Sequence, residues 1–211
     1  MNVNDIKGAF TKIGALMDDN KDYLISLDQQ NGDGDLGVSM SNGFKAVNNM
    51  LSGSDETDVG RVFMNAGKAF NEASPSTLGT ILSFCMMGMA KTLRGKTEAD
   101  ISELALAFDA GLNLIMEKAG SKPGEKTILD ALYPAVEALK LSSDEQTAAA
   151  FKKAAEAAAA GSESTKEMRS VHGRAAYYGD KSIGVLDGGS VAGKLIFEGL
   201  YDYVSKGAEN E

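Results

Sequence analysis

Apolar residues recur at spacings of three and four along nearly the whole chain, which is the period of an α-helix with one buried face. Near the start, for example, Ile6, Phe10 and Ile13 follow this spacing. The segments that show it are 5–17, 21–27, 37–51, 58–73, 81–93, 97–116, 128–139, 144–160, 163–172 and 190–204. No stretch of useful length alternates between apolar and polar residues, as a half-buried strand does. The sequence therefore predicts an all-α fold.

The ends of several helices are predicted from local signals. Pro75 suits the first position of a helix, and Ser74 before it suits the capping position. The sequence Thr97-Glu-Ala-Asp100 resembles a capping box that opens the helix 97–116. Ser143 is expected to cap the helix 144–160.

Length and charge limit the classes of protein to which the chain can belong. Its 211 residues suit one large domain or two small ones, and since no boundary is visible, the prediction is a single helical domain over residues 1–211. With 21 basic and 30 acidic residues the net charge is −9, which argues against nucleic acid or an anionic membrane surface as a partner. The longest apolar run, 81–90, is far shorter than the ~20 residues that span a bilayer. No membrane segment is predicted.

The redox state and location are predicted from the cysteine content and the N-terminal sequence. Cys85 is the only cysteine, so no internal disulfide can form, and a reducing compartment is expected. The first residues lack the basic start and long apolar run of a secretory signal. A cytoplasmic location is therefore expected.

A loop rich in Asp and Gly follows the second predicted helix and reads Asp28-Gln-Gln-Asn-Gly-Asp33-Gly-Asp35-Leu-Gly37. Neighbouring carboxylates repel one another unless a cation lies between them, and oxygen ligands suit Mg²⁺, Ca²⁺ or Mn²⁺. An EF-hand is excluded because Leu36 and Asn42 stand where its turn Gly and its bidentate Glu belong. The alternative is a polar turn between two helices that binds no metal.

A second long loop is predicted between residues 173 and 189, and long ordered loops in compact domains tend to be functional. Arg174 in this loop could make bidentate contacts to phosphate, or it could pair with a carboxylate such as Asp187 across the loop. The near-match to a P-loop that ends at Lys194 lacks the Ser or Thr that should follow the Lys, and no parallel sheet is predicted around it. Lys194 is therefore assigned to a helix surface.

Two potentially reactive side chains are assigned structural roles. His172 is the only histidine, and a lone histidine beside a flexible glycine is more often structural than catalytic, although acid–base chemistry stays an alternative. Cys85 lies in an apolar helix, where a thiol behaves as a small hydrophobic group. Nucleophilic catalysis by this chain is therefore not predicted.

The chain resembles the L-subunit family of bacterial dihydroxyacetone kinases at three motifs that occur in the same order. These motifs are the Asp-rich loop 28–37, the segment 124–132 (Gly-Glu-Lys-Thr-Ile-Leu-Asp-Ala-Leu) and the segment 173–184 (Gly-Arg-Ala-Ala-Tyr-Tyr-Gly-Asp-Lys-Ser-Ile-Gly). The resemblance implies a closed antiparallel barrel of about eight amphipathic helices. It also implies a nucleotide site at one rim of that barrel.

The resemblance also implies which residues hold the ligands. Asp28, Asp33 and Asp35 match the metal-binding positions of the family, where one or two Mg²⁺ ions bridge to the phosphates of ADP or ATP. The positions that match nucleotide contacts are Leu36, Gly37, Val38, Ser39, Ala73, Ser74, Gly120, Ile128, Arg174, Leu186, Asp187 and Gly188. No catalytic residue is carried over to this chain.

The chain departs from the family pattern at several of these positions. Relatives usually have His where this chain has Leu36, Asn where it has Ser39, and Gly where it has Pro75. They also have Gly-Gly where this chain has Asn71 and Glu72. The loss of a polar donor at Leu36 removes a phosphate contact that would be worth roughly 1.5–3 kcal/mol, and Pro75 removes a backbone N–H. Nucleotide affinity or substrate choice is therefore expected to differ.

By this resemblance, the chain is expected to supply one half of a kinase active site. In the family a K subunit binds a short-chain ketose covalently, and the L subunit presents the phosphoryl donor. In members coupled to the phosphoenolpyruvate phosphotransferase system, an M subunit rephosphorylates the bound ADP. The alternatives are a non-catalytic, nucleotide-binding regulatory protein of the same fold and a purely structural role.

Overall fold

The computed structural model describes residues 1–208, and in this range it consists of nine α-helices and two 3₁₀ segments. The helices are α1 (Val3–Asp19), α2 (Lys21–Asn31), α3 (Leu36–Ser52), α4 (Val59–Ala73), α5 (Thr77–Thr92), α6 (Ile101–Ala119), α7 (Leu129–Leu141), α8 (Thr147–Ser164) and α9 (Gly188–Ala208), with 3₁₀ segments at Thr165–Glu167 and Arg174–Ser182. The described residues form no β-strand beyond an isolated bridge between Asn2 and Glu98. The all-α prediction is confirmed. The predicted domain, 1–211, extends by three residues beyond the described range.

The helices pack in a closed circuit. Helix α1 lies against α3, and each later helix from α3 to α8 lies against the next one along the chain. The circuit closes because α9 packs on both α8 and α1, while α2 lies beside α3. This arrangement agrees with the predicted helical barrel.

Contacts along α1 show that its neighbours run antiparallel to it. Against α3, Lys7 donates from Nζ to the carbonyl oxygen of Ser54, and Ser41 donates to Asp18 at the other end of α1. Against α9, Tyr203 donates from its hydroxyl to Asp5 near the start of α1. Antiparallel packing of neighbouring helices is typical of up-and-down helical folds.

The interior of the circuit is apolar. The circuit comprises α1 and α3 to α9, and side chains from all of these helices except α8 converge on an apolar cavity of about 70 Å³. Aromatic rings pack beside it: the Phe10 centroid lies 5.9 Å from that of Phe63, and Phe44 meets Phe70 edge-on at 5.0 Å. Burial of these faces supplies the main driving force for the fold. In the part of the chain that the structure describes, no helix combines the length and hydropathy needed to cross a membrane.

The prediction of a helix over 163–172 was wrong for most of its length. Helix α8 ends at Ser164, one 3₁₀ turn follows, and Met168 has an extended backbone with φ −94° and ψ 150°. The carbonyl oxygens of Thr165 and Met168 accept hydrogen bonds from the Lys126 ammonium. Because a distant side chain binds these carbonyls, the local apolar spacing did not decide the structure.

Three predicted helix starts were also misplaced. Helix α5 is capped by Ser76, whose hydroxyl accepts from the N–H of Gly79, and Pro75 precedes the helix instead of opening it. Helix α6 is capped by Asp100, which forms a capping box with Glu103. Helix α8 begins at Thr147, several residues after Ser143. In each case the helix begins a few residues later than the local signal predicted.

Candidate functional site

The Asp-rich loop connects α2 to α3 and gathers three carboxylates. Asp28 lies in the last turns of α2, Asp33 lies in the loop, and Asp35 immediately precedes α3. One oxygen atom from each side chain lies within 4.8 Å of the others. Asp28 is partly buried, while Asp33 and Asp35 are exposed. An all-oxygen set of this kind fits the ligand preferences of Mg²⁺.

Asp28 also organises the loop itself. Its Oδ2 accepts hydrogen bonds from the backbone N–H of Gly34 at 2.7 Å and of Leu36 at 3.4 Å. A Cβ atom on Gly32 would lie 2.2 Å from Oδ1 and 2.8 Å from the backbone oxygen of Asp28, so any larger residue would displace Asp28. The absence of a side chain at Gly32 therefore lets the loop backbone pass close to the Asp28 carboxylate.

The three carboxylates perturb one another electrostatically. Although Asp35 is exposed, partial desolvation raises its pKa, and the neighbouring charges of Asp33 and Asp28 raise it further, while Arg174 opposes them. Arg174 Nη2 lies 2.8 Å from Asp33 Oδ2. The guanidinium thus lies at the acidic loop and pairs there, whereas the sequence suggested Asp187 as its partner. A positive charge at this point offsets part of the carboxylate repulsion.

The first turn of α3 directly follows the acidic loop. The N–H of Ser39 is bonded to the Asp35 carbonyl oxygen at 2.9 Å, but the N–H groups of Gly37 and Val38 have no acceptor within the helix. Such a turn attracts anions. The Leu36 side chain is buried, so among the predicted phosphate contacts it can contribute only its backbone.

The start of α9 lies beside the same loop. A Cβ atom on Gly188 would lie 2.6 Å from a Leu36 methyl carbon and 4.0 Å from the Asp28 nitrogen. Asp187 caps α9, because its Oδ2 accepts from the N–H of Ser190 at 2.6 Å. Burial raises the pKa of Asp187 to about 7. Leu186 packs partly buried against the core.

The remaining predicted nucleotide contacts lie at other junctions. Ile128 is buried against Gly189 of α9. Gly120 ends α6 with φ 62°, in the left-handed conformation that glycine favours. Ala73 and Ser74 lie between α4 and α5, where Ser74 is 1 % exposed and its carbonyl oxygen accepts from the N–H of Ser76. The structure thus brings the Asp residues, Arg174 and Gly188 together, while the bonds of Ser74 stay within its own junction.

Exposed tyrosines border the acidic loop. Tyr177 and Tyr178 line a shallow depression together with Arg174, Asn31 and Gly32. Tyr177 is 91 % exposed. An aromatic ring and a guanidinium at the edge of an acidic site offer stacking and charge to a ligand. Both tyrosines lay inside the loop that the sequence marked, but no role was assigned to them.

Lys126 is a further residue that the sequence reasoning missed. It is 5 % exposed, and the three N–H groups of its Nζ are shared among four backbone carbonyl oxygens of the segment 165–185, which all lie within hydrogen-bond distance. The matched motif 124–132 contains this lysine, yet a single lysine in a turn gives no local signal of burial. Asp130, in the same motif, is also buried and accepts from the N–H groups of Gly124 and Thr127.

Comparison with known proteins identifies the family. Residues 30–202 match the DAK2 domain. The ADP-binding subunit DhaL of PEP-dependent dihydroxyacetone kinase 1 from Listeria innocua is 31% identical over 189 residues, which cover 89% of each chain. The corresponding subunit from Escherichia coli is 28% identical over 86% of this chain and 88% of its own length. The chain therefore belongs to the DAK2-domain family. Within it, the chain is a divergent member of the DhaL group, as the resemblance predicted.

Longer proteins contain a similar domain. An L-erythrulose 1-kinase from Mycolicibacterium smegmatis is 28% identical over 190 residues, which are 89% of this chain but 33% of that protein. The crystal structure of a dihydroxyacetone kinase from C. freundii in complex with AMP-PNP and Mg²⁺ superposes with a TM-score of 0.74 at 23% identity. It covers 93% of this chain, which spans 33% of the solved chain. This likeness establishes the fold.

Proposed function

We propose that this chain is the Mg²⁺- and ADP/ATP-binding subunit of a dihydroxyacetone (glycerone) kinase. In this role it presents a phosphoryl group to a short-chain ketose held by a K-type partner subunit. The observation that carries the proposal is the gathering of three Asp oxygens within 4.8 Å, beside the first turn of α3 and beside Arg174. The nucleotide in this proposal is inferred from the relatives that are named as ADP-binding subunits.

The acidic loop fits a resident Mg²⁺ by the chemistry of its donors. Asp28, Asp33 and Asp35 would hold one or two ions through carboxylate oxygens. Partial desolvation raises the pKa of Asp35, and the charges of Asp33 and Asp28 raise it further. A divalent cation relieves the repulsion between these carboxylates. When bound, Mg²⁺ neutralises charge between the phosphates of the donor. The protein contributes the fixed geometry of the loop, which Gly32 permits.

The nucleotide contacts in the proposal divide by chemistry. Arg174 would pair with phosphate oxygens, since a guanidinium matches their geometry. The N–H groups of the first turn of α3 and the start of α9 at Gly188 would approach the phosphates through backbone atoms. Apolar and backbone contacts would enclose the rest of the nucleotide. The residues assigned to this second set are Ala73, Ser74, Gly120, Ile128, Leu186 and Asp187.

The proposal leaves the chemistry on the acceptor to another chain. The one thiol, on Cys85, is buried and its pKa is raised to about 12, so it is no nucleophile. His172 is engaged at 2.6 Å with Glu125, away from the acidic loop in sequence and in its contacts. A K-type subunit would therefore hold the ketose. An M-type phosphotransferase subunit would recharge bound ADP in a phosphoenolpyruvate-coupled system, and all of these chains would meet in the cytoplasm.

A second candidate is a regulatory nucleotide-binding protein that performs no transfer. It is favoured by the Leu36 side chain, which is buried against Gly188 at a position where the family resemblance leads us to expect a polar residue. Pro75, which offers no N–H at the α4–α5 junction, points the same way. Tight Mg²⁺-dependent ADP binding without turnover in the presence of a K-type subunit would support this candidate.

The proposal is tested by calorimetric titration of ADP with and without Mg²⁺. Asp33→Asn is expected to weaken Mg²⁺-dependent binding by at least about tenfold, since it removes one charged ligand. Asp144→Asn, on an exposed residue of the α7–α8 connection, is the matched control. Unchanged affinity in Asp33→Asn would contradict the metal assignment. A kinase assay with a K-type subunit and dihydroxyacetone then separates the kinase from the regulatory protein.

A further inference from the structure

A single buried ammonium group joins both ends of the segment that carries Arg174. Lys126 Nζ donates to the carbonyl oxygens of Thr165 at 2.7 Å and Met168 at 3.2 Å, which precede this segment. It also donates to those of Ser182 at 2.8 Å and Val185 at 2.6 Å, which follow it. The lysine thus closes the base of a loop whose tip contains Arg174 and the exposed tyrosines.

The surroundings of Lys126 hold the ammonium in one place. Burial lowers its pKa, while the nearby charges of Asp187 and Asp130 act in the opposite direction. Four carbonyl dipoles and two acidic side chains compensate a buried charge that would otherwise be costly. The charge is therefore part of a satisfied polar network, whose removal leaves several carbonyls without a donor.

The backbone at Lys126 supports a specific role for this side chain. Its φ is 61°, and among the described residues it is the only non-glycine with positive φ. Such a conformation is unfavourable for a residue with a Cβ atom and persists where the surrounding structure enforces it. Asp130 does so here, because its two oxygens accept from the N–H groups of Gly124 and Thr127 on either side.

The same base connects directly to the start of α9. Thr165, whose carbonyl accepts from Lys126, also accepts at its Oγ1 from the N–H of Asp187 at 3.1 Å. Gly184 donates its N–H to the Lys166 carbonyl at 2.7 Å, and this bond joins the beginning of the loop to its end. The position of Lys126 therefore bears on Arg174 at the loop tip and on Asp187 at the loop end.

We propose that Lys126 is the positioning residue of the nucleotide site, which fixes the 165–187 segment so that Arg174 and Asp187 face the acidic loop. This inference rests on the proposed function. Lys126 acts through the backbone carbonyls and touches no phosphate. Loss of the Lys126 ammonium is expected to disorder the segment and so weaken nucleotide binding. The helices themselves are expected to lose little stability.

The test compares wild type with Lys126→Met, which keeps the length of the side chain without its charge. Lys126→Gln, neutral but able to donate, carries the test if the Met variant does not fold. Lys7→Met is the control, because Lys7 also donates from Nζ to a backbone carbonyl, that of Ser54, at 2.6 Å. Each protein is titrated with Mg²⁺ and ADP, and its thermal midpoint is recorded.

Limited trypsin digestion reads out the order of the segment. Arg169, Arg174 and Lys181 are exposed cleavage sites within it, and cleavage there tracks local opening. Lys126→Met is expected to accelerate cleavage at these sites and to raise the Kd for Mg·ADP, each by at least about tenfold, if opening limits both. Lys7→Met is expected to change each by less than about twofold at a comparable loss of thermal midpoint.

A double-mutant cycle shows whether Lys126 acts through Arg174. Arg174→Ala should weaken Mg·ADP binding clearly in the wild-type background, but by less than about twofold in the Lys126→Met background, because coupled residues are not additive. Additive losses would overturn the inference. The inference would also be overturned if the wild type binds Mg·ADP and a Lys126 variant binds it with a Kd within about twofold of the wild-type value. A wild type that fails to bind Mg·ADP overturns the proposed function and this inference together.

Discussion

Arg174 and Asp33 form an ion pair in which Nη2 lies 2.8 Å from Oδ2. The pair joins the Asp-rich loop near the start of the chain to the segment that precedes the last helix. Both side chains are largely exposed, so the pair itself contributes little to stability, about 0–1 kcal/mol. Its importance is geometric, because it brings a guanidinium to the place where the three carboxylates meet.

Asp35→Asn should separate metal binding from folding. Asp35 has a pKa raised by partial desolvation and by the charges of Asp33 and Asp28, and its side chain does not cap α3. Removal of its charge should therefore leave the thermal midpoint of the metal-free protein equal or higher, while Mg²⁺-dependent ADP affinity falls by at least about tenfold. Differential scanning calorimetry and titration calorimetry measure the two effects, and a clearly lower midpoint would contradict the expected repulsion.

Gly32→Ala should damage the metal site through Asp28. The added Cβ would lie 2.2 Å from Asp28 Oδ1, so the carboxylate must move. We expect a loss of Mg²⁺-dependent ADP affinity of about tenfold or more, because small misplacements of ligands are costly. Gly53→Ala is the matched control, since a Cβ there meets nothing within 4 Å. If both variants bind ADP alike, the close approach at Gly32 does not matter for binding.

Asp187→Asn should change how stability depends on pH. The folded pKa of about 7 lies above the ordinary value of 3.8, so the folded state holds a proton that the unfolded state releases. The wild-type free energy of unfolding should therefore fall as pH rises from about 4 to about 7. Each pKa unit corresponds to about 1.4 kcal/mol, or about 2–4 °C in thermal midpoint for a chain of this size.

Asparagine keeps the oxygen that accepts from the N–H of Ser190 and removes the charge. In metal-free buffer the variant should match wild type near pH 4 and exceed its midpoint by several degrees near pH 8, at about 2–4 °C per kcal/mol. Thermal melts in a pH series provide the measurement, with Asp144→Asn as the control. A constant difference between the proteins at every pH would show that Asp187 is not the titrating group.

Cys85 should be inert until the protein unfolds. The thiol is buried and its pKa is raised to about 12, and it is the thiolate that reacts with alkylating or disulfide reagents. A native sample treated with a disulfide reagent at pH 8 should show almost no labelling, and the same sample in denaturant should label fully. Rapid labelling of the native protein would mean that the interior opens readily beside α5.

The helices could be read from the sequence, but contacts between distant segments could not. The spacing of Ile6, Phe10 and Ile13 placed α1, because an amphipathic stripe is a local property. The end of α8 was misjudged because Lys126 binds the carbonyls of Thr165 and Met168 from far along the chain. Such partners leave no periodic trace.

The site was similarly divided between local and distant information. The cluster of Asp residues was visible because Asp28, Asp33 and Asp35 lie on one short loop, and the structure confirms that their oxygens converge. The partner of Arg174 was not visible, since Asp33 and Asp187 are both aspartates and only the fold decides between them. The assigned ligand roles of these residues stay predictions.

Because α1 and α9 run antiparallel side by side, the beginning of the first helix lies next to the end of the last, as the contact between Asp5 and Tyr203 shows. A short flexible linker could therefore join these neighbours, and the chain could be reopened in the exposed turn at Gly53. Such a permuted protein would keep every packed helix pair while placing its new chain ends between α3 and α4. The order of the helices along the chain and their order around the barrel are thus separable.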